Sequence, residues 1–162
     1  MTTSWQHMPD DAHLWVYPAG RRLSGQEQQT ILEEVEAFLQ GWRAHGKPLR
    51  AAAVVVDDYF LLVAVDPNHE PPSGCSIDAQ VGFIRQLAQR HGLAFLERGQ
   101  VYFRNAGSIE SLPLSALKEA IAAGRLTAES PVYRHEAAVK AAWGCVPAAE
   151  TWLKRYFVKT KA

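Results

Sequence analysis

Leu49-Arg50-Ala51-Ala52-Ala53-Val54-Val55-Val56-Asp57-Asp58-Tyr59-Phe60-Leu61-Leu62-Val63-Ala64-Val65 consists of two β-rich runs, Leu49 to Val56 and Tyr59 to Val65, with two acidic residues between them. Branched and aromatic side chains fit a pleated, buried surface. A short polar pair between two such runs predicts a tight hairpin. The strand after the turn is apolar on both faces. The one before it carries Arg50, which an edge strand tolerates.

Upstream of the hairpin, His13-Leu14-Trp15-Val16-Tyr17 reads as a strand ended by Pro18 and Gly20. Ser24 and Glu27 have the spacing of a capping box, in which each side chain satisfies an orphan backbone donor near the other. Ile31, Val35, Phe38, Leu39 and Trp42 then recur on one helical face, and Gly46 and Pro48 stop that helix. Downstream, a loop from Asp66 to Ser73 carries Pro67, Pro71 and Pro72. A second helix follows from about Ser76 to His91, with Ile77, Val81, Ile84, Leu87 and Ala88 inward and Gly92 as its stop, and a last strand lies near Gln100 to Arg104.

The order is β-α-β-β-α-β. It predicts an α+β protein with a ferredoxin-like split βαββαβ antiparallel sheet over residues 10–105. Two helices cover only one face of such a sheet. The other apolar face calls for residues 106–162 or a second copy of the chain, hence a homodimer as one expectation. Residues 106–162 read as a small, mainly helical extension packed on that core. Pro113 to Ala123 and the Ala-rich Glu136 to Trp143 are its helices, Val132-Tyr133-Arg134 is a short strand, and a final helix opens at Pro147 and bears Trp152, Leu153 and Tyr156.

Composition narrows the function classes. The 162 residues are 48% hydrophobic and 21% charged, which supports a core without a disulfide or metal staple. Seventeen basic residues balance seventeen acidic ones. That balance argues against a general nucleic-acid or membrane-surface binder, whose affinity rests on excess positive charge. Two cysteines are too few for a secreted disulfide framework. Met1 to His7 lacks the charged and apolar regions of a signal peptide, so a reducing cytoplasm is expected.

Ser73-Gly74-Cys75-Ser76-Ile77-Asp78, at the mouth of the second helix, is the candidate site. Cys75 there meets the positive end of the helix dipole, which favours thiolate. His45 is a partner base if the fold brings it close, whereas Asp78 one turn on opposes a thiolate. Ser73, Gly74 and Ser76, with the first helical N–H groups, are candidates for holding a small anionic ligand. The plainer account makes Ser73 or Ser76 the cap, Asp78 the complement of the helix dipole and Cys75 a small buried hydrophobe. Asp66, His69 and Glu70 share one loop but lack paired metal-ligand spacing, so no metal or other cofactor is implied. Trp152, Tyr156 and Phe157 alternate with Lys154, Arg155, Lys159 and Lys161, a pattern that binds single strands in some proteins and packs on a core in most.

Trp42-Arg43-Ala44-His45-Gly46, Leu49-Arg50-Ala51, Ser73 to Asp78 and Phe95 to Tyr102, with the stretch from Trp143 to Trp152, resemble an uncharacterised bacterial family. Its members are often labelled "ABC transporter ATPase". The resemblance covers most of the chain and implies kinship but no established chemistry. Leu23-Ser24-Gly25-Gln26 is close to the transporter signature, yet no Walker motif or P-loop lysine is present, and the label's activity has no basis in these residues. The expected function is a non-catalytic cytoplasmic protein that binds a small ligand or a protein partner. The alternative is a thiol-dependent enzyme or redox protein using Cys75.

Overall fold

In a computed structural model residues 1–158 are described, and Lys159 and Lys161 of the basic tail lie outside them. The hairpin forms where its pattern predicts. Strands β4 (Ala51–Val56) and β5 (Phe60–Val65) pair antiparallel, with Val56 opposite Phe60 and Ala51 opposite Val65. Asp57 and Asp58 have φ of 53° and 57°, the left-handed values that a primed turn demands of both central residues.

The chain forms two compact units. The first contains residues 1–97 and 136–142. In it, β1 (His13–Pro18) pairs antiparallel with β5, giving the strand order β1-β5-β4. Helix α1 (Gly25–Gln40) begins at the Ser24–Glu27 capping box, and α2 (Gly74–His91) at a second box made by Ser73 and Ser76. Ile31, Val35 and Leu39 of α1 share one core with Ile84 and Leu87 of α2 and with Leu61, Val63 and Val65 of β5. Phe60, Leu62 and Ala64, on the opposite face of β5, are buried as well, so the single chain leaves no bare face on its central strand.

Both edges of this sheet are covered. Along β4, Thr3 N–H donates to Ala51 O, and Ala51 N–H donates to Met1 O. The Met1 amine donates to Leu49 O at 2.8 Å. Along β1, the returning segment 136–142 supplies Ala138 O to Leu14 N–H, and Lys140 N–H donates to Ala12 O. Such cover blunts edge-to-edge association.

The second unit contains residues 98–135 and those from Trp143 onward. Its sheet has the order β7-β6-β8-β9, from β6 (Gln100–Asn105), β7 (Ser108–Pro113), β8 (Pro131–Tyr133) and β9 (Cys145–Pro147). Helix α3 (Leu117–Ala122) and Leu126 and Leu153 pack with Val101, Phe103 and Leu112 in its own core.

Several expectations change. The protein is α+β with antiparallel sheets, but Gln100–Asn105 is absent from the β1-β5-β4 sheet. It pairs locally with β7 across Ala106-Gly107, and residues 138–139 occupy the edge of β1 instead. The division therefore falls at 97/98 rather than 105/106, with a return at 136–142. The later part is a four-stranded sheet and not mainly helical. Glu136 to Trp143 contains only a 3₁₀ turn at Lys140–Ala142, because its backbone is engaged by Ala12 and Leu14. An isolated helix of that length is marginal whatever its alanine content. The stretch after Pro147 is likewise two 3₁₀ turns, Ala148–Glu150 and Trp152–Tyr156. No helix among the described residues is long and apolar enough to cross a membrane.

Candidate functional site

The start of α2 is held by a closed set of hydrogen bonds. Ser73 Oγ accepts from Ser76 N–H at 3.1 Å. Ser76 Oγ accepts from Ser73 N–H at 2.8 Å and donates to Ser73 O at 2.7 Å. Ser76 uses its hydroxyl both as acceptor and as donor in the cap, whereas Ser73 Oγ serves there as an acceptor. Both residues thus take the capping role of the plainer reading. The N–H groups of Gly74 and Cys75, at the first helical positions, have no acceptor within the helix.

Trp42 fixes this helix start in place. Its indole is buried, and Nε1 donates to Ser76 O at 2.8 Å. Its ring meets Phe38 at 5.7 Å and Trp15 at 6.0 Å between centroids, and Phe38 in turn stacks on Phe83 at 4.6 Å. Just beyond Trp42, β2 (Arg43–Ala44) and β3 (Lys47–Pro48) form a miniature hairpin. His45 and Gly46 are its turn, with φ of 51° and 76°. The helix therefore ends at Gln40, and Gly46 serves a primed turn instead of stopping α1.

These elements enclose an open groove of about 560 Å³. Phe38, Gly41 and Trp42 line it from the end of α1, Arg43 and His45 from the small hairpin, and Ser73, Cys75, Ser76 and Ala79 from α2. The fold thus brings Cys75 and His45 to one cavity. Gly74 and Asp78 do not line it. Cys75 is exposed, so the small-buried-hydrophobe reading of this thiol does not hold. Arg43 and Trp42 belong to the groove although neither stood out as a site residue. Their sequence signals are closeness to His45 and a place in the Trp42-Arg43-Ala44-His45-Gly46 block of the family resemblance, while Trp42 otherwise reads as one more position on an apolar helical face.

The remaining candidates resolve structurally. Asp66 is buried, accepts from Asn68 N–H at 2.9 Å and lies 3.8 Å from Arg50. Glu70 instead faces Lys47 at 4.0 Å. No group of three His, Cys, Asp or Glu among the described residues is placed to hold a metal. His91 bonds through Nε2 to Glu34 of α1 at 2.6 Å, and Arg90 reaches the same carboxylate at 3.0 Å. Ser24 caps α1 as its spacing predicts, and Arg21 beside Glu27 holds that carboxyl down to about 2. Leu153 is fully buried, with Tyr156 and Phe157 packed on the same core, while Trp152 is exposed.

Comparison with known proteins gives no matching family model, no matching curated protein and no matching solved structure.

Proposed function

We propose that the chain is a non-catalytic binding protein whose site is the groove between the end of α1, the Arg43–Pro48 hairpin and the start of α2. The observation that carries this reading is the convergence of three elements on one cavity. Its lining combines the apolar Phe38, Trp42 and Ala79 with a few polar groups, which is the usual composition of small-ligand sites. Ser76 spends its hydroxyl on the helix start, so the groups left to face a ligand are Arg43, His45, the Cys75 thiol, the Ser73 hydroxyl as a donor and backbone N–H groups. The central strand is buried on both faces within one chain, and the reading needs no homodimer. The bacterial-family resemblance and the cytoplasmic assignment accompany this reading and add no chemistry to it.

The test is a fragment screen followed by amide chemical-shift mapping. Hits that shift Cys75, Ala79 and the Trp42 indole support the groove. Hits that map only elsewhere, or no hits at all, remove the reading.

The second reading is a thiol-dependent activity, favoured by one observation: exposed Cys75 and His45 line the same groove, and Asp78 does not. His45 would take the thiol proton, and the helix dipole would favour the thiolate. Alkylation rate against pH decides between the readings. A thiol that reacts well below the usual cysteine range, and loses that reactivity in His45→Ala, supports chemistry. A thiol that titrates normally in both proteins leaves binding alone.

A further inference from the structure

We infer that the groove takes a small organic anion, an apolar body carrying a carboxylate or phosphate head, with Arg43 as the residue that selects the charge; this deepens the binding reading and rests on it. The inference comes from the charge inventory of the cavity. The residues that line it include two basic side chains, Arg43 and His45, and no carboxylate. In a chain with equal numbers of acidic and basic residues, a cavity with one sign of charge is a local departure. Lining by Phe38, Trp42 and Ala79 provides for the apolar body.

Arg43 is free to serve. It is exposed, and its side-chain hydrogen bond to Gly46 O within its own hairpin is long, at 3.3 Å. A guanidinium holds a carboxylate or phosphate through two parallel bonds, which gives geometry as well as attraction. Two carboxylates on adjoining segments, Glu70 and Asp78, do not line the groove. Glu70 faces Lys47. Ala79 leaves room on the α2 side, where a larger side chain would fill the groove. The N–H groups of Gly74 and Cys75 add donors at the α2 end, but the discrimination is placed on Arg43.

The probes are naphthoate, its neutral isostere naphthamide, and inorganic phosphate, each titrated against the full chain with amide shifts and Trp fluorescence as readouts. Naphthoate is expected to shift Cys75, Ala79 and the Trp42 indole and to bind about tenfold or more tightly than naphthamide, the scale of one charge-assisted contact. Arg43→Gln should bring the two aromatic probes level. Ala79→Trp, an exposed helical substitution, should abolish both. Weaker binding of phosphate than of naphthoate is expected, because phosphate lacks the apolar body. Equal binding of naphthoate and naphthamide at the groove, unaffected by Arg43→Gln, overturns the anion inference and leaves the groove as a binding site. Failure of both aromatic probes to reach the groove overturns the inference together with the reading beneath it. Phosphate binding as tight as naphthoate overturns the apolar-body half of the inference.

Discussion

Tyr17 and Gln80 show how a single buried pair shapes the first unit. The Tyr17 hydroxyl donates to Gln80 Oε1 at 2.6 Å, and burial raises the pKa of that phenol, keeping it a neutral donor. Gln80 Nε2 is buried with no partner. An unmatched buried polar group costs its full desolvation, whereas replacing both partners by apolar groups of similar shape is nearly neutral. Tyr17→Phe alone should therefore lower stability by roughly 1–3 kcal/mol, and the double change Tyr17→Phe with Gln80→Met should recover most of the loss. Urea denaturation of the two variants is the check; equal losses would show that the pair does not act as a unit. Glu27 illustrates a different residue-scale effect. Its carboxyl is held from 4.5 down to about 2 by Arg21 and by the Ser24 backbone. A depressed carboxyl contributes stability above its unfolded value, and the contribution fades as pH falls from about 4.5 towards 2. Glu27→Gln should flatten the stability profile in that window and leave its shape near neutrality unchanged. The Ser24–Glu27 box was legible in the sequence because its partners are three residues apart. Tyr17 and Gln80 are 63 apart, and nothing in a helical period marks a glutamine as inward.

At the scale of elements, the left-handed turns decide more than the apolar periods do. Asp57-Asp58 was recognisable because strong β runs flank it. Gly46 and Pro48 have the pattern of a helix stop, yet His45-Gly46 is a hairpin turn, since a glycine after an amphipathic run serves either purpose and β2 and β3 are only two residues each. Ala106-Gly107 looked like the start of a new region, and this concealed the β6–β7 hairpin and, with it, the second sheet. Ala106 is exposed with φ of 52°, a conformation that an L-residue with a Cβ adopts at a cost of roughly 1–2 kcal/mol. Asn relieves part of that strain, and Asn-Gly is the preferred pair for this turn. Ala106→Asn is expected to stabilise the second unit by about 0.5–1 kcal/mol, and Ala106→Val to destabilise it by at least as much. Thermal melts with slowed amide exchange at Phe103 would record the gain. No change in either variant would mean that the turn does not limit the hairpin. The inward stripe of α2 is also only half legible: Ile84 and Leu87 are buried as their spacing predicts, but Ser76 and Gln80 complete the buried row while Ile77, Val81 and Ala88 are half-buried.

Across the whole molecule, the feature least visible in the sequence is the return of residues 136–142 to the first unit. Alanine content pointed to a helix there. The backbone instead covers an open strand edge and closes it with Lys140, which stands beside residues more than 130 positions away. Lys140 Nζ donates to Trp5 O at 3.0 Å and Met8 O at 2.7 Å, and the ammonium lies 5.3 Å from the Trp5 ring centroid. Its own N–H donates to Ala12 O, while Leu14 N–H donates to Ala138 O. One residue therefore joins the N-terminal segment, through its side chain, to the return and the edge of β1, which its backbone and that of Ala138 engage. Lys140→Met keeps the aliphatic stem and removes both charged donors. With hydrogen bonds to charged groups worth roughly 1.5–3 kcal/mol each and partial exposure reducing that figure, a loss of about 1–3 kcal/mol is expected. Lys140→Arg should lose less. The distinguishing measurement is amide exchange: in Lys140→Met the Leu14 amide should exchange faster, because its acceptor belongs to the loosened return segment. A global loss of stability without faster exchange at Leu14 would mean that Lys140 acts on Trp5 and Met8 alone. An unchanged melt together with unchanged exchange would mean that the return is held by its backbone and owes nothing to Lys140.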